Sequence, residues 1–294
     1  MTPLSRRLSR TLRSVSDAAI AGLFVVTVVP LLILPLDRAV ALAGMAGRIF
    51  LPLLPVRRRI ERNLALVWPD FGPEHTRTLI AGVGDSFART IAEYVRLPAL
   101  AAMPERRRTE GLGHLTDAVA AGRGAVIASA HFGNWEMIRL AARDAGVDVG
   151  IIYRAFNNRS FDRLAMLRIR VAGEPVLHKG RQGLRDMLGL VRDGGVILVL
   201  MDQHVTTGAP LPFLGRPALT ATAIPAMCKR VGAALLPATA TRSDDGKTFD
   251  IRFEAPVAPG DAEEMTAEVN RRMEAWVRAR PAQWFWLHRR WRPS

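Results

Sequence analysis

Apolar positions along this chain fall into two regimes. From about residue 70 onward, short apolar runs alternate with stretches of helical period. The runs at 125–130, 147–153, 196–201, 234–241 and 248–253 read as strands. The intervening stretches at 134–144, 160–171, 182–192 and 221–231 read as helices. A helix over 79–97 precedes them, with Asp85, Arg89 and Glu93 on a polar side, and another over 262–280 closes the series. Alternation of this kind predicts an α/β fold, a mixed and mostly parallel sheet flanked by helices.

The first 62 residues follow another pattern. Arg6, Arg7, Arg10 and Arg13 precede an uncharged stretch over 18–36. As a helix it would reach about 28 Å, close to the thickness of a bilayer's hydrocarbon core. Its length, and Pro30 and Pro35 within it, disfavour a cleaved signal peptide. A second apolar stretch over 39–56, broken by Arg48, leads to Arg57, Arg58, Arg59 and Arg62. Basic clusters on both flanks prefer the cytoplasmic side, which a hairpin or an interfacial helix satisfies better than a simple span. A buried core helix is the other possibility. The expectation is therefore a membrane-anchoring region over 1–62 and an α/β domain over 63–294 on the cytoplasmic face.

Composition narrows the partners. The net charge is +14, and only three of the 41 basic residues are lysines. A basic surface suits phospholipid headgroups, phosphorylated glycolipids or an acidic carrier protein. Nucleic acid fits less well, because no helix-turn-helix, zinc-finger or RNA-binding signature is present. The single cysteine, Cys228, excludes an internal disulfide and a cysteine-based metal cluster.

The densest chemistry is His131-Phe132-Gly133-Asn134-Trp135-Glu136, directly after the strand run 125–130. A neutral imidazole takes a proton from an alcohol near pH 7, and a neighbouring carboxylate can fix its tautomer. Five residues is the wrong spacing for one helix face, so His131 belongs in the strand-to-helix turn and Glu136 in the helix beyond. Arg154 ends the next strand run and could share that edge. Asp202 and Gln203 follow the run at 196–201, where they could touch substrate or organise loops. Lys179 sits near another strand-to-helix junction.

The hexapeptide resembles the His-x-x-x-x-(Asp/Glu) signature of glycerolipid-type acyltransferases, and in this form the late acyltransferases of lipid A biosynthesis. The Asp202-Gln203 segment, the Pro212-Phe213-Leu214-Gly215 element, Pro217–Thr220 and the tail from Trp284 to Trp291 match in the same order. The resemblance implies a membrane-associated O-acyltransferase at the inner membrane, with His131 as general base and Glu136 orienting it. Arg154, Asn134, Gln203 and Asp202 would contact substrate. The donor would be an acyl-acyl carrier protein, or acyl-coenzyme A, and the acceptor a hydroxyl of a lipid A precursor, with no cofactor or metal. Another phosphorylated glycolipid or phospholipid acceptor, an esterase or thioesterase on the same scaffold, and a non-catalytic membrane-binding protein are the alternatives.

Overall fold

A computed structural model describes residues 31–155 and 159–291. Its centre is a seven-stranded sheet in the order β1-β9-β8-β2-β5-β3-β4. The strands are β1 (Arg107–Glu110), β2 (Ala125–Ser129), β3 (Val149–Tyr153), β4 (Val176–His178), β5 (Val196–Leu200), β8 (Ala234–Arg242) and β9 (Phe249–Phe253). The five from β8 to β4 run parallel; β9 is antiparallel to β8, and β1 is parallel to β9. The five strand runs and the mostly parallel sheet agree with the sequence pattern. The short β1 and β4 lie outside it, since their edge positions ask for little apolar surface.

Along the central strands alternate residues enter two cores. Ala125, Ile127, Val196, Leu198, Leu236 and Ala238 face one layer, and Val126, Ala128, Ile197 and Leu235 face the other. The first layer holds α4 (Leu97–Ala101), α5 (Gly113–Ala120), α6 (Glu136–Asp144) and α7 (Arg159–Ile169). The second holds α8 (Arg181–Arg192), α9 (Ala223–Val231) and α10 (Ala262–Ala279). Burial on both faces explains why the strands read as continuous apolar runs. β6 (Ala209–Phe213) and β7 (Arg216–Thr220) form a separate antiparallel hairpin. Its two-residue turn places Leu214 at φ 51° and Gly215 at φ 75°. That conformation usually calls for Asn or Gly at its first position, so the hairpin carries no ordinary sequence signal.

Residues 1–30, with most of the first apolar stretch, lie outside the described residues. The second stretch forms α1 (Leu36–Phe50), followed after a short turn by α2 (Arg57–Val67) and α3 (Pro73–Val95). Leu36 and Val40 enter the first core and Leu51, Ile60 and Leu64 the second. The described part of the 1–62 region thus shares the core of the remainder. α1 leaves Leu42, Met45, Ile49 and Phe50 exposed, as are Leu53 and Leu54 after it. Among the described residues no single helix is long and apolar enough to cross a membrane. The bent pair of Leu36–Leu53 and Arg57–Val67, meeting at 82°, meets the length and composition requirement together.

α1 crosses α3 backbone to backbone. A Cβ on Gly84 would stand 2.2 Å from the Gly47 carbonyl oxygen, and one on Gly47 would stand 2.0 Å from that of Gly84. Gly84→Ala should therefore push the helices apart and cost about 1–3 kcal/mol, despite alanine's better helix propensity. A fall in the thermal unfolding midpoint is the expected outcome; an unchanged midpoint would mean that the crossing yields freely.

Candidate active site

β2 and β5 are neighbours, with Ser129 opposite Leu200, and the Met201 N–H carries the ladder one step further to the Ser129 carbonyl at 2.8 Å. Beyond this point the chains part. β2 leads to α6 in the first layer, and β5 leads through the hairpin to α9 in the second. Such a switch point opens a crevice at the carboxyl ends of the strands. His131 and Asp202 each lie two residues past their strand, so parallel register brings them together.

The Asp202 carboxylate is fully buried and accepts three hydrogen bonds. Oδ1 takes the His131 Nδ1–H at 2.8 Å. Oδ2 takes the His131 backbone N–H at 2.9 Å and the Trp284 indole N–H at 2.8 Å. Burial alone would raise its pKa, but the charge and hydrogen bond of His131, aided by the Trp284 N–H, hold it well below the usual carboxylate range. An ionised carboxylate only accepts. The proton therefore belongs on Nδ1, and Nε2 keeps the lone pair of a base.

The loop around His131 is fastened on every side. Gly133 has φ +54°, and a Cβ there would stand 1.9 Å from the Ala240 carbonyl oxygen, so only glycine fits. The Gly133 N–H donates to the Gln283 carbonyl at 2.9 Å, and the Phe285 N–H to that of His131 at 2.9 Å. Phe132 and Trp284 form an antiparallel bridge. The tail from Trp284 to Trp291 thus covers the core and walls the site. An apolar cavity of about 80 Å³ lies beside His131, lined in part by Val83, Phe87, Trp135 and Phe285.

His288 stands edge-on to His131 with ring centroids 4.5 Å apart. Desolvation lowers its pKa to about 4, and the charges of His131, Arg290 and Arg59 push the same way against the pull of Asp202. Its ring is consequently neutral at physiological pH. Its Nε2 is buried without a hydrogen-bond partner among the described residues. One ligand atom each from His131, Asp202 and His288 lies within 4.8 Å of the others, close enough to gather a metal ion. The Nδ1–Oδ1 separation of 2.8 Å is itself that of a hydrogen bond.

Several sequence expectations need correction. Glu136 does not orient His131. It is fully buried, accepting from Tyr94 Oη at 2.5 Å and from Arg139 Nη1 at 2.6 Å. Arg139, also buried, donates in addition to the carbonyls of Val149, Ile169 and Gly173. Glu136 therefore anchors α6 and the start of β3, and the acid at His131 is Asp202. Asn134, expected at the substrate, is fully buried, its Nδ2 on Glu93 at 2.9 Å and its Oδ1 accepting from the Glu136 N–H. Glu93 also pairs with the Arg242 guanidinium, tying α3, β8 and this loop together. Asp202 likewise faces His131, not a substrate surface. Gln203 is half-buried, and its carbonyl accepts from Arg290. Arg154 lies exposed just past β3, on the same edge as His131 with β5 between. Lys179 is exposed, its N–H bonded to the Tyr153 carbonyl. The roles of Trp284, His288, Arg139, Glu93 and Arg242 went unnoticed in the sequence. Only the placing of both strand runs side by side could have paired Asp202 with His131.

Residues 8–293 match the family model described as bacterial lipid A biosynthesis acyltransferase. The chain belongs to that family. It is an acyltransferase. A phosphatidylinositol mannoside acyltransferase of Mycobacterium tuberculosis (strain CDC 1551 / Oshkosh) is 26% identical, with 87% of this chain and 88% of that protein aligned. The lipid A biosynthesis lauroyltransferase of Escherichia coli (strain K12) is 27% identical, with 84% and 82% aligned. The palmitoleoyltransferase of the same strain is 26% identical, again with 84% and 82% aligned.

Three outcomes follow for this acyltransferase. In Asp202→Asn one amide oxygen must serve both N–H donors of Oδ2, which turns the NH₂ toward Nδ1 and forces the wrong imidazole tautomer. Turnover should fall by about 10³–10⁴ with the fold retained, whereas Glu136→Gln should cost about 3–5 kcal/mol in denaturant unfolding by leaving Arg139 uncompensated. For His288 the folded pKa, about 4, lies below its ordinary 6.5. Its neutral form contributes stability that is complete above pH 6.5 and is lost as pH falls toward 4, by up to about 3 kcal/mol. Unfolding midpoints across that window should drop less steeply in His288→Gln; an identical slope would discount the buried neutral ring.

Proposed function

We propose that this acyltransferase moves a fatty acyl chain from an acyl thioester to a hydroxyl of an anionic glycolipid at a membrane surface. The observation that carries this reading is His131, held through Nδ1 on a buried carboxylate with Nε2 left as base, beside an apolar cavity. His131 is the proposed catalytic residue. Nε2 takes the hydroxyl proton as that oxygen attacks the thioester carbonyl. The C–S bond then breaks, and the departing thiolate recovers the proton from Nε2. The products are an ester and a thiol, with no acyl-enzyme. Asp202 holds the tautomer and offsets the imidazolium charge between the two transfers. General-base assistance supplies roughly 10²–10⁴ in rate, and positioning of two lipid-like substrates the rest.

Acyl-acyl carrier protein is the proposed donor, with acyl-coenzyme A second, and a hydroxyl of a lipid A precursor the proposed acceptor. A phosphatidylinositol mannoside is the second acceptor reading, since a relative of that name matches as much of the chain as the lauroyltransferase does. Location on the cytoplasmic face of the inner membrane is supported by the exposed apolar side chains of α1 and the arginines that follow them. Arg154 and Gln203 remain proposed substrate contacts, Arg154 from its exposed place on the reacting edge.

The test is transfer from an acyl-carrier thioester to an under-acylated lipid A precursor or to a phosphatidylinositol mannoside, weighed by mass spectrometry beside folded His131→Ala. A gain of one acyl chain in only one lipid, absent from the variant, assigns the acceptor. Transfer persisting near its normal rate in His131→Ala would end the general-base mechanism.

A further inference from the structure

An open groove of about 710 Å³ beside the C-terminal tail is lined by Arg59, Arg62, Arg216 and Arg289, with Asn63 and Trp291. Arg59, Arg62, Asn63 and Leu66 follow one another at spacings of three, one and three residues, so one face of α2 supplies that wall. No acid lines the groove. Elsewhere the fold pairs its arginines freely, as with Arg139, Arg242 and Arg272. Here none of the four has an acidic partner among the described residues.

The groove is also preassembled. Arg59 Nη1 donates to the Leu287 carbonyl at 3.0 Å, and Arg216 Nε to the Leu66 carbonyl at 2.7 Å. Asn63 Nδ2 bridges the carbonyls of Trp286 and His288, each at 2.8 Å, which fixes the chain that presents Arg289. Trp291 carries a buried indole N–H that has no acceptor among the described residues. Four guanidiniums around one recess repel each other, and no acid among the described residues lines the recess to offset them. A multiply charged oxyanion would, accepting in forked geometry from the arginines. The groove also adjoins the reacting centre: Arg59 is bonded to the residue before His288, whose ring lies against His131.

We propose that this groove binds a phosphate group carried by one of the enzyme's substrates, held by Arg59, Arg62, Arg216 and Arg289. The inference rests on the acyl-transfer reading for its choice of ligand, not for the existence of the site. The phosphate belongs either to the donor's phosphopantetheine arm or to the acceptor's phosphorylated headgroup.

The test uses the full chain in detergent and the exposed pair Arg62→Ala/Arg289→Ala, with Arg62→Lys/Arg289→Lys as the charge-retaining control. Calorimetric titration with inorganic pyrophosphate and with coenzyme A needs no turnover. Saturable binding that weakens about tenfold or more in the alanine pair, and less in the lysine pair, is expected. Equal binding in all three proteins, or none in the unmodified one, overturns the site. Steady-state transfer then identifies the source. A donor source predicts that the advantage of palmitoyl-coenzyme A over the phosphate-free palmitoyl-N-acetylcysteamine thioester, as KM, shrinks about tenfold in the alanine pair. An acceptor source predicts the same loss for phosphorylated over dephosphorylated acceptor. Pyrophosphate binding without either loss overturns the substrate assignment, and absence of all transfer by the unmodified protein counts against the acyl-transfer reading alone.

Discussion

One buried negative charge organises this protein's reactive edge. The Asp202 carboxylate sits where water cannot reach it, and a lone ion there would be strongly disfavoured. Three N–H groups stabilise it, two from His131 and one from Trp284. Those donors come from the end of β2 and from the C-terminal tail, so satisfying the charge fixes the strand ends and the tail in one arrangement. The imidazole orientation and tautomer follow from the same requirement. The positioning of the His131 ring is thus a consequence of solvating an ion inside a protein.

Two further buried carboxylates extend the scheme. Glu136 is matched by Arg139 and Tyr94, and Glu93 by Arg242 and Asn134. Between them they join α3, α6, β8 and the loop carrying Gly133. Burial and the Glu136 charge raise the Tyr94 pKa well above its ordinary value, which keeps its hydroxyl a donor to that acid. Such pairs contribute little net stability compared with apolar packing, but breaking one leaves an uncompensated charge. Their value here is geometric. They fasten a loop beside the apolar cavity at His131, while the arginine groove keeps its charge unmatched on the outer side of the same tail.

The division of labour between pattern and packing is visible in particular residues. Alternating apolar runs and helical periods were enough for the layered α/β architecture, because a strand buried on both faces and a helix buried on one leave different local signatures. The strand-to-turn placing of His131 was equally local, since 125–130 is apolar and Gly133 demands a conformation that side-chain-bearing residues avoid. The family likeness was legible for the same reason, being carried by ordered segments of the chain itself. The assignment of partners was not. Glu136 lies five residues from His131 yet turns into the first layer toward Tyr94, whereas Asp202, 71 residues away, meets the ring. Strand order decided this by inserting β5 between β2 and β3, and no local period encodes strand order. The same holds for the arginine groove, whose four side chains come from α2, the β6–β7 hairpin and the tail. Short-range patterns record which face of an element is buried; hydrogen bonds and charges are satisfied across space, by whichever groups the completed fold brings within about 3 Å.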